Sequence, residues 1–260
     1  MDIVVCVKYV PDSTSDRRFE DDNTVDRVGV DGLLCELDEN AVEQALQLKE
    51  SGVFEEVTVL TVGPQQADAA IRKALQMGAD KGVHVVDDAI AGSDALATSL
   101  VLAEAIKKTD HDLVLCGMGT TDSGMGVVPA MLSERLGVPQ LTFADSISVS
   151  GSTVTIKRDS DTSTDTIEAE LPLVVSVTDR TGEARYPSFK GIMAAKKKEV
   201  TSLSLADLGI DPAQVGLSAA WSAVEAVEAR PPRTKGEIVT DDGGSGATAL
   251  VEFLAAKKFI

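Results

Sequence analysis

Aromatic residues are scarce in this chain: one Trp, two Tyr and six Phe among 260 residues. A core with so few rings has to be filled by Val, Leu, Ile and Ala, and at 43% hydrophobic residues the chain has enough of them. Cysteine is nearly absent too. Cys6, Cys35 and Cys116 are odd in number and far apart, with neither a disulfide framework nor CxxC metal spacing. They are expected to be reduced, small apolar side chains of a cytosolic protein. The two histidines, His84 and His111, have no metal-binding neighbour in sequence, so structural roles are expected for both. Positive charge is also short: 24 Lys and Arg stand against 42 Asp and Glu, a net of −18. Such a surface repels phosphate backbones, which argues against general DNA or RNA binding. It suits solubility at high salt, as in proteins of salt-loving organisms. No run approaches the roughly 20 apolar residues that cross a bilayer. The N-terminal MDIVVCVKYV has no basic leader and reads directly as a strand, not as a secretory signal.

What the chain does contain is a strand, a glycine-rich loop and a helix between His111 and Gly137. Leu113–Cys116 is an apolar run suited to an interior strand. Gly117, Gly119, Gly124 and Gly126 follow, with Thr120, Thr121, Asp122 and Ser123 among them. Glycine lets a ligand approach the main chain closely, and free N–H groups at a helix start suit phosphate. Ser123 or Asp122 is the expected cap of the helix. The pattern predicts a site for a nucleotide or another phosphorylated ligand.

The rest of the first half alternates strand and helix. Ile3–Val7 reads as a strand, and the polar stretch 11–34 as a long excursion from the sheet. Glu39–Glu50 has helical spacing and ends at Ser51-Gly52. Val57–Val62 is the next strand, Ala67–Met77 a helix stopped by Gly78, and Gly82–Val86 another strand. Ser93 is read as the cap of a helix reaching about Lys108. Four such units predict an α/β fold: a doubly wound, mostly parallel sheet with helices on both faces. The loops after Val7, Val62 and Cys116 would then share the ligand-binding edge. After Pro139 the runs Thr142–Val149, Thr153–Arg158 and Thr166–Leu171 predict antiparallel strands extending the sheet, the first two joined at Ser150-Gly151-Ser152. Leu173–Val177 is a last apolar strand and Ile192–Lys198 a short basic helix. Residues 209–247, with Pro212, Pro231, Pro232 and the run Asp242–Gly246, read as an extended arm. Ala247–Phe259 regains helical spacing, with Leu250, Phe253 and Leu254 on one face. The expected division is a nucleotide-binding α/β domain over 1–208 and a C-terminal arm over 209–260, its helix docking on a partner.

Several segments together resemble the β subunit of electron-transfer flavoprotein, a family that includes a nitrogen-fixation-associated homologue. They are IVVCVKYVPD at Ile3–Asp12, ELDENAVEQALQLKE at Glu36–Glu50, VTVLTVGPQQADAAIRKALQMGADKGVHV at Val57–Val85, and the Asp122 loop. LSERLGVPQLTFA at Leu132–Ala144, LPLVVSV at Leu171–Val177 and RYPSFKGIMAAKKKEV at Arg185–Val200 complete the set. No one fragment is specific; their order and spacing are.

The resemblance implies a Rossmann-like, adenine-nucleotide alpha-hydrolase-like fold and an electron carrier subunit, not an enzyme with its own acid–base machinery. It implies a larger α subunit that holds most of an electron-transferring FAD. The β chain itself would bind AMP, or a second FAD in electron-bifurcating relatives that oxidise NADH. The cofactor site maps onto Cys6, onto Cys35, Glu36, Leu37 and Asp38, and onto Val62. It continues in the loop residues Thr120, Thr121, Asp122, Ser123, Gly124, Met125, Gly126, Val127, Val128 and Met131. Two departures leave AMP and FAD both open. Cys35, Glu36 and Leu37 stand where members often carry Asn-Pro-Phe, and the loop Asp122–Val128 matches neither form. Glu36 and Asp38 would repel a phosphate unless they point away. The segment RYPSFKGIM matches the part by which the family grips acyl-CoA dehydrogenase-like flavoenzymes. Phe189 would be its anchor, and Arg185, Tyr186, Ile192, Met193, Lys196 and Lys197 its surroundings. Electrons would pass on to a membrane quinone oxidoreductase. The competing readings are the bifurcating form and a stand-alone nucleotide-binding regulator resembling the universal stress proteins.

Overall fold

The computed structural model describes residues 1–260 except Asp16, Ala229, Arg230, Arg233, Glu237 and Asp242. Two compact units emerge, Met1–Glu225 and Ala226–Ile260. The first is built on a seven-stranded sheet. Its strands are β1 (Asp2–Cys6), β4 (Glu56–Val62), β5 (Lys81–Val85), β6 (Leu113–Gly117), β7 (Gln140–Ala144), β11 (Leu173–Val177) and β12 (Val200–Leu203), in the order β12-β5-β4-β1-β6-β11-β7. Every pairing in it is parallel. The helices are α1 (Glu36–Glu50), α2 (Asp68–Met77), α3 (Ala95–Ile106), α4 (Val128–Leu136), α5 (Phe189–Ala195) and the single turn α6 (Leu205–Leu208).

Period-two alternation along the strands explains why both faces are covered. Ile3 and Val5 of β1, Leu113 and Leu115 of β6, and Leu173 and Val175 of β11 are buried in one core with α1 and α2. Val4 and Cys6, Val114 and Cys116, and Val174 are buried in the other with α3 and Leu132 of α4. A strand apolar on both faces reads as a continuous hydrophobic run, which is what the sequence shows.

Several expected features come out differently. The run Thr142–Val149 is two strands: β7 stays in the main sheet, while β8 (Ser146–Ser150) begins a separate sheet with β9 (Thr153–Asp159) and β10 (Thr164–Glu170). That sheet is antiparallel and does not extend the main one. Phe143 makes the break at φ 58, beside a register shift opposite Val175–Val177. The excursion 11–34 contains a two-stranded ribbon, β2 (Tyr9–Pro11) with β3 (Gly32–Leu34). Asp94, not Ser93, caps α3 by accepting from the Ala97 N–H at 3.0 Å; the Ser93 hydroxyl accepts from Gly216 N at 2.7 Å. The first unit continues past residue 208 because Ile210 and Val215 are buried in the second core. In the second unit Ser245–Ala256 form helix α7, on which Leu250, Val251 and Phe253 are exposed; Asp242 lies outside the described residues.

Candidate functional site

The carboxyl ends of parallel strands are where a doubly wound fold leaves a crevice, and the predicted residues lie there. Cys6 ends β1, Val62 ends β4, and the loop Met118–Val127 leaves β6 for α4. Cys35 is the N-cap of α1, fully buried, and its carbonyl accepts from Asp38 N at 2.9 Å. Gly117 permits this arrangement: a Cβ there would sit 2.5 Å from Asp38 Oδ1 and 2.9 Å from the Leu37 carbonyl. Strand β6 and the first turn of α1 therefore touch through backbone, and only glycine fits.

The two acidic residues of that turn separate. Glu36 is exposed, whereas Asp38 is buried and accepts from Lys8 N at 2.8 Å. Burial pushes the Asp38 carboxyl up to about 7, against the Lys8 N–H, the Lys8 charge and the Gly117 N–H, which favour its ionised form. Asp122 behaves in the opposite way. Burial alone would raise it, but Lys8 and Arg27 outweigh burial and hold its carboxyl far below the usual carboxylate range. Lys8 Nζ lies 3.0 Å from both of its oxygens and Arg27 Nη2 lies 2.6 Å from Oδ2. Arg17 Nη2 donates to the Thr121 carbonyl at 2.6 Å. Three cations thus converge on two adjacent residues, Thr121 and Asp122, of a chain with net charge −18.

The loop itself departs from expectation in its hydrogen bonds. Asp122 and Ser123 do not cap α4: Val127 is its N-cap and uses no side chain, with Pro129 in the first turn. Asp122 Oδ1 instead accepts from Ser123 N at 2.8 Å, and Gly124 N donates to the Thr120 carbonyl at 2.9 Å. The N–H groups of Ser123 and Gly124, which could otherwise face a phosphate, therefore serve the loop. Gly126, at φ 66, and the uncapped start of α4 make no such bond among the described residues. Thr120 Oγ1 and Ser123 Oγ lie 2.9 Å apart, Met125 is exposed, Val127 and Val128 are half-buried, and Met131 N donates to the Val127 carbonyl. Beside Val62, the Thr61 hydroxyl is buried with no partner among the described residues, the kind of group a ligand or water satisfies.

The structure also brings in residues the sequence did not mark. Lys8, Arg17 and Arg27 belong to the site, although 95 to 114 positions separate the bonded pairs. Phe143, Arg158, Thr178 and Arg180 join Met118 around a cavity of about 400 Å³ at the ends of β6, β7 and β11. His84 Nε2 contacts the Gly63 carbonyl at 3.2 Å and His111 Nδ1 the Thr109 carbonyl at 2.8 Å. The three cysteines are free and buried. Among the described residues no group of His, Cys, Asp or Glu could hold a metal ion, and no helix is long and apolar enough to cross a membrane.

The predicted recognition segment lies elsewhere, over α1 and α2. Tyr186 is 91% and Phe189 81% exposed, with Ile192 and Met193 beside them at 37% and 48%. Lys196 and Lys197 end the segment, Lys196 as the C-cap of α5. Arg185 faces inward: Nε and Nη2 meet Glu43 at 2.7 and 3.0 Å, and Nη1 and Nη2 meet Glu50 at 2.5 and 3.0 Å.

Residues 22–208 match the family described as "Electron transfer flavoprotein domain". The chain is 49% identical over 264 residues to the electron transfer flavoprotein subunit beta of Mycobacterium leprae (strain TN), covering 99% of each chain. It is 35% identical to that of Megasphaera elsdenii and 33% identical to that of Clostridium acetobutylicum, over the whole of each chain. With its doubly wound sheet and full-length similarity at these identities, the chain belongs to the electron transfer flavoprotein β-subunit family.

Proposed function

We propose that this chain is the β subunit of a heterodimeric electron carrier. In this reading it binds a structural AMP at the carboxyl edge of its sheet. It recognises flavoprotein dehydrogenases of the acyl-CoA dehydrogenase type through Arg185–Met193. Its α subunit holds the FAD that accepts and passes on the electrons, towards a quinone oxidoreductase. The FAD supplies the redox chemistry; this chain supplies placement and recognition. The observation that carries the nucleotide reading is the convergence of Lys8, Arg17 and Arg27 on Thr121 and Asp122. Asp122 balances one of those charges and Asp38 ionises only near neutrality, so an excess of positive charge faces the loop. A dianionic phosphate complements it. Cys6 and Val62 are small residues at the ends of β1 and β4 that leave room for a base.

The second unit, Ala226–Ile260, is read as the part that docks on the α subunit, because Leu250, Val251 and Phe253 of α7 would gain most from being covered. Three free cysteines fit a reducing, cytoplasmic setting. The test is to denature the purified heterodimer and identify the released nucleotides by mass spectrometry. One AMP and one FAD per pair is the expected result. Two FADs and no AMP would replace this reading with a bifurcating complex that oxidises NADH. A stable lone chain that needs no partner would replace it with a nucleotide-binding regulator.

A further inference from the structure

The segment displaying Tyr186 and Phe189 is tied down at every turn. Upstream, Gln44 of α1 donates to the Thr181 carbonyl at 3.2 Å. At Arg185 the guanidinium spans two carboxylates one above the other on α1, and its backbone N–H donates to Glu43 at 3.1 Å. Four side-chain donor contacts of Arg185 go to Glu43 and Glu50, so little of its bonding capacity is left for another protein. Glu43 is itself buried and held by Gln47 at 2.9 Å. Pro187 then fixes its own φ, and Ser188 caps α5 by accepting from Gly191 N at 3.0 Å. Downstream, Lys198 Nζ donates to the carbonyls of Leu75, Gly78 and Ala79 at the end of α2. Between these anchors the two large rings stand in solvent.

We propose that Arg185 is a positioning residue for dehydrogenase recognition. It makes no contact with the partner; its double carboxylate clamp on Glu43 and Glu50 holds Tyr186 and Phe189 in the conformation that docks. The inference rests on the recognition reading given above. A ring held in place before encounter loses less conformational freedom on binding than one on a loose loop, and an interface gains affinity from that saving. The clamp also explains why the only arginine of the segment points away from the surface it was expected to form.

The test is a double-mutant cycle in the intact heterodimer, reading the KM and kcat of a purified acyl-CoA dehydrogenase with the heterodimer as electron acceptor. Phe189→Ala is expected to raise KM about tenfold or more, the range for losing an interface anchor. Arg185→Met is expected to raise KM about three- to tenfold, the equivalent of re-ordering one or two side chains, and to leave kcat unchanged. Arg185→Lys keeps the charge but not the double fork, so it should behave as Arg185→Met does. Glu50→Gln, which leaves the arginine in place, should raise KM about threefold. In the Phe189→Ala background the Arg185→Met effect should shrink towards none. An Arg185→Met effect that persists undiminished there, or an Arg185→Lys protein with normal KM, would show that Arg185 meets the partner directly and overturn the proposal. A strong Phe189→Ala effect with normal KM in Arg185→Met and Glu50→Gln would overturn the clamp and leave the recognition reading standing. A normal KM in Phe189→Ala would overturn both. If Arg185→Met fails to assemble, Glu50→Gln still decides the matter.

Discussion

Asp38 shows how one buried carboxyl can set a pH dependence. It keeps its proton up to about pH 7 in the folded chain and gives it up near pH 4 when unfolded. Between those values the unfolded state binds fewer protons, so stability falls as pH rises through the window, by something on the order of a few kcal/mol, and levels off above it. The groups facing it are Lys8, Asp122, Cys35 and Cys116. The other carboxylates with resolved shifts, Asp122 and Glu43 among them, are shifted down, so their contribution is lost only as pH falls through and below the ordinary carboxylate range and stays constant above it. The melting temperature of the wild-type chain should therefore drop between about pH 5 and about pH 8. Asp38→Asn, which mimics the neutral acid, should flatten that drop. A wild-type curve that is level or rising there would mean Asp38 ionises normally. The residue scale is also where the sequence was least legible. The loop after β6, Cys35 and Asp38 could be named from local pattern and family resemblance. The cations that meet the loop could not, because Lys8 and Arg27 are brought to Asp122 only by the packing of β1, the excursion and β6.

Elements defined by local periodicity were legible; those defined by a neighbour were not. Strands β1, β4, β6 and β11 are largely apolar runs and α1 and α2 have an apolar stripe, so each announces itself; β5 carries Val83 and Val85 on either side of His84 and is marked by the turn at Gly78 before it. The alternation of β7 runs on into β8 without a sequence break. What divides them is Phe143 at φ 58, with its N–H on Ser176 Oγ at 2.9 Å, and Asp145, whose carboxylate accepts from Thr178 Oγ1 and Asp159 N. Strand β12 is four residues that become a strand only by lying against β5. The short helix expected at Ile192–Lys198 is present as α5, but it starts three residues earlier at Phe189, where Ser188 caps it, and ends at Ala195; its bounds are set by its seat on α2. A Cβ at Gly191 would run into the carbonyl oxygen of Gln76, so the two helices meet through backbone. On propensity alone, Gly191→Ala would stabilise a helix by up to about 1 kcal/mol. Here the collision with a fixed carbonyl should reverse the sign. The expected outcome is a melting temperature lower by a few degrees and faster amide exchange across 189–195. An unchanged or higher melting temperature would mean α5 has room to spare over α2.

At the scale of the whole molecule the governing quantity is charge. Even if each of the 24 cations paired with one of the 42 acids, 18 carboxylates would remain without a counter-ion of the chain's own. Some ion pairs do form where they organise structure, as at Asp122 and Arg185, but they leave the surplus on the surface. Like charges held close together by folding repel one another and favour expansion, and unfolding relieves part of that repulsion. Salt weakens it. The screening length falls from about 10 Å at 0.1 M to about 3 Å at 1 M, shorter than most spacings between surface charges. The pairs of Lys8 and Arg27 with the buried Asp122 are partly screened from solvent by the fold and should lose less than the surface gains. Stability should therefore increase with sodium chloride over this range, with a melting temperature that climbs steadily from low salt to about 1 M. Sodium and potassium chloride should act alike, because screening depends on ionic strength and not on the cation. A melting temperature that stays flat or falls would show that the stabilising ion pairs outweigh the surplus of negative charge. A rise with one cation only would point to specific binding in place of screening.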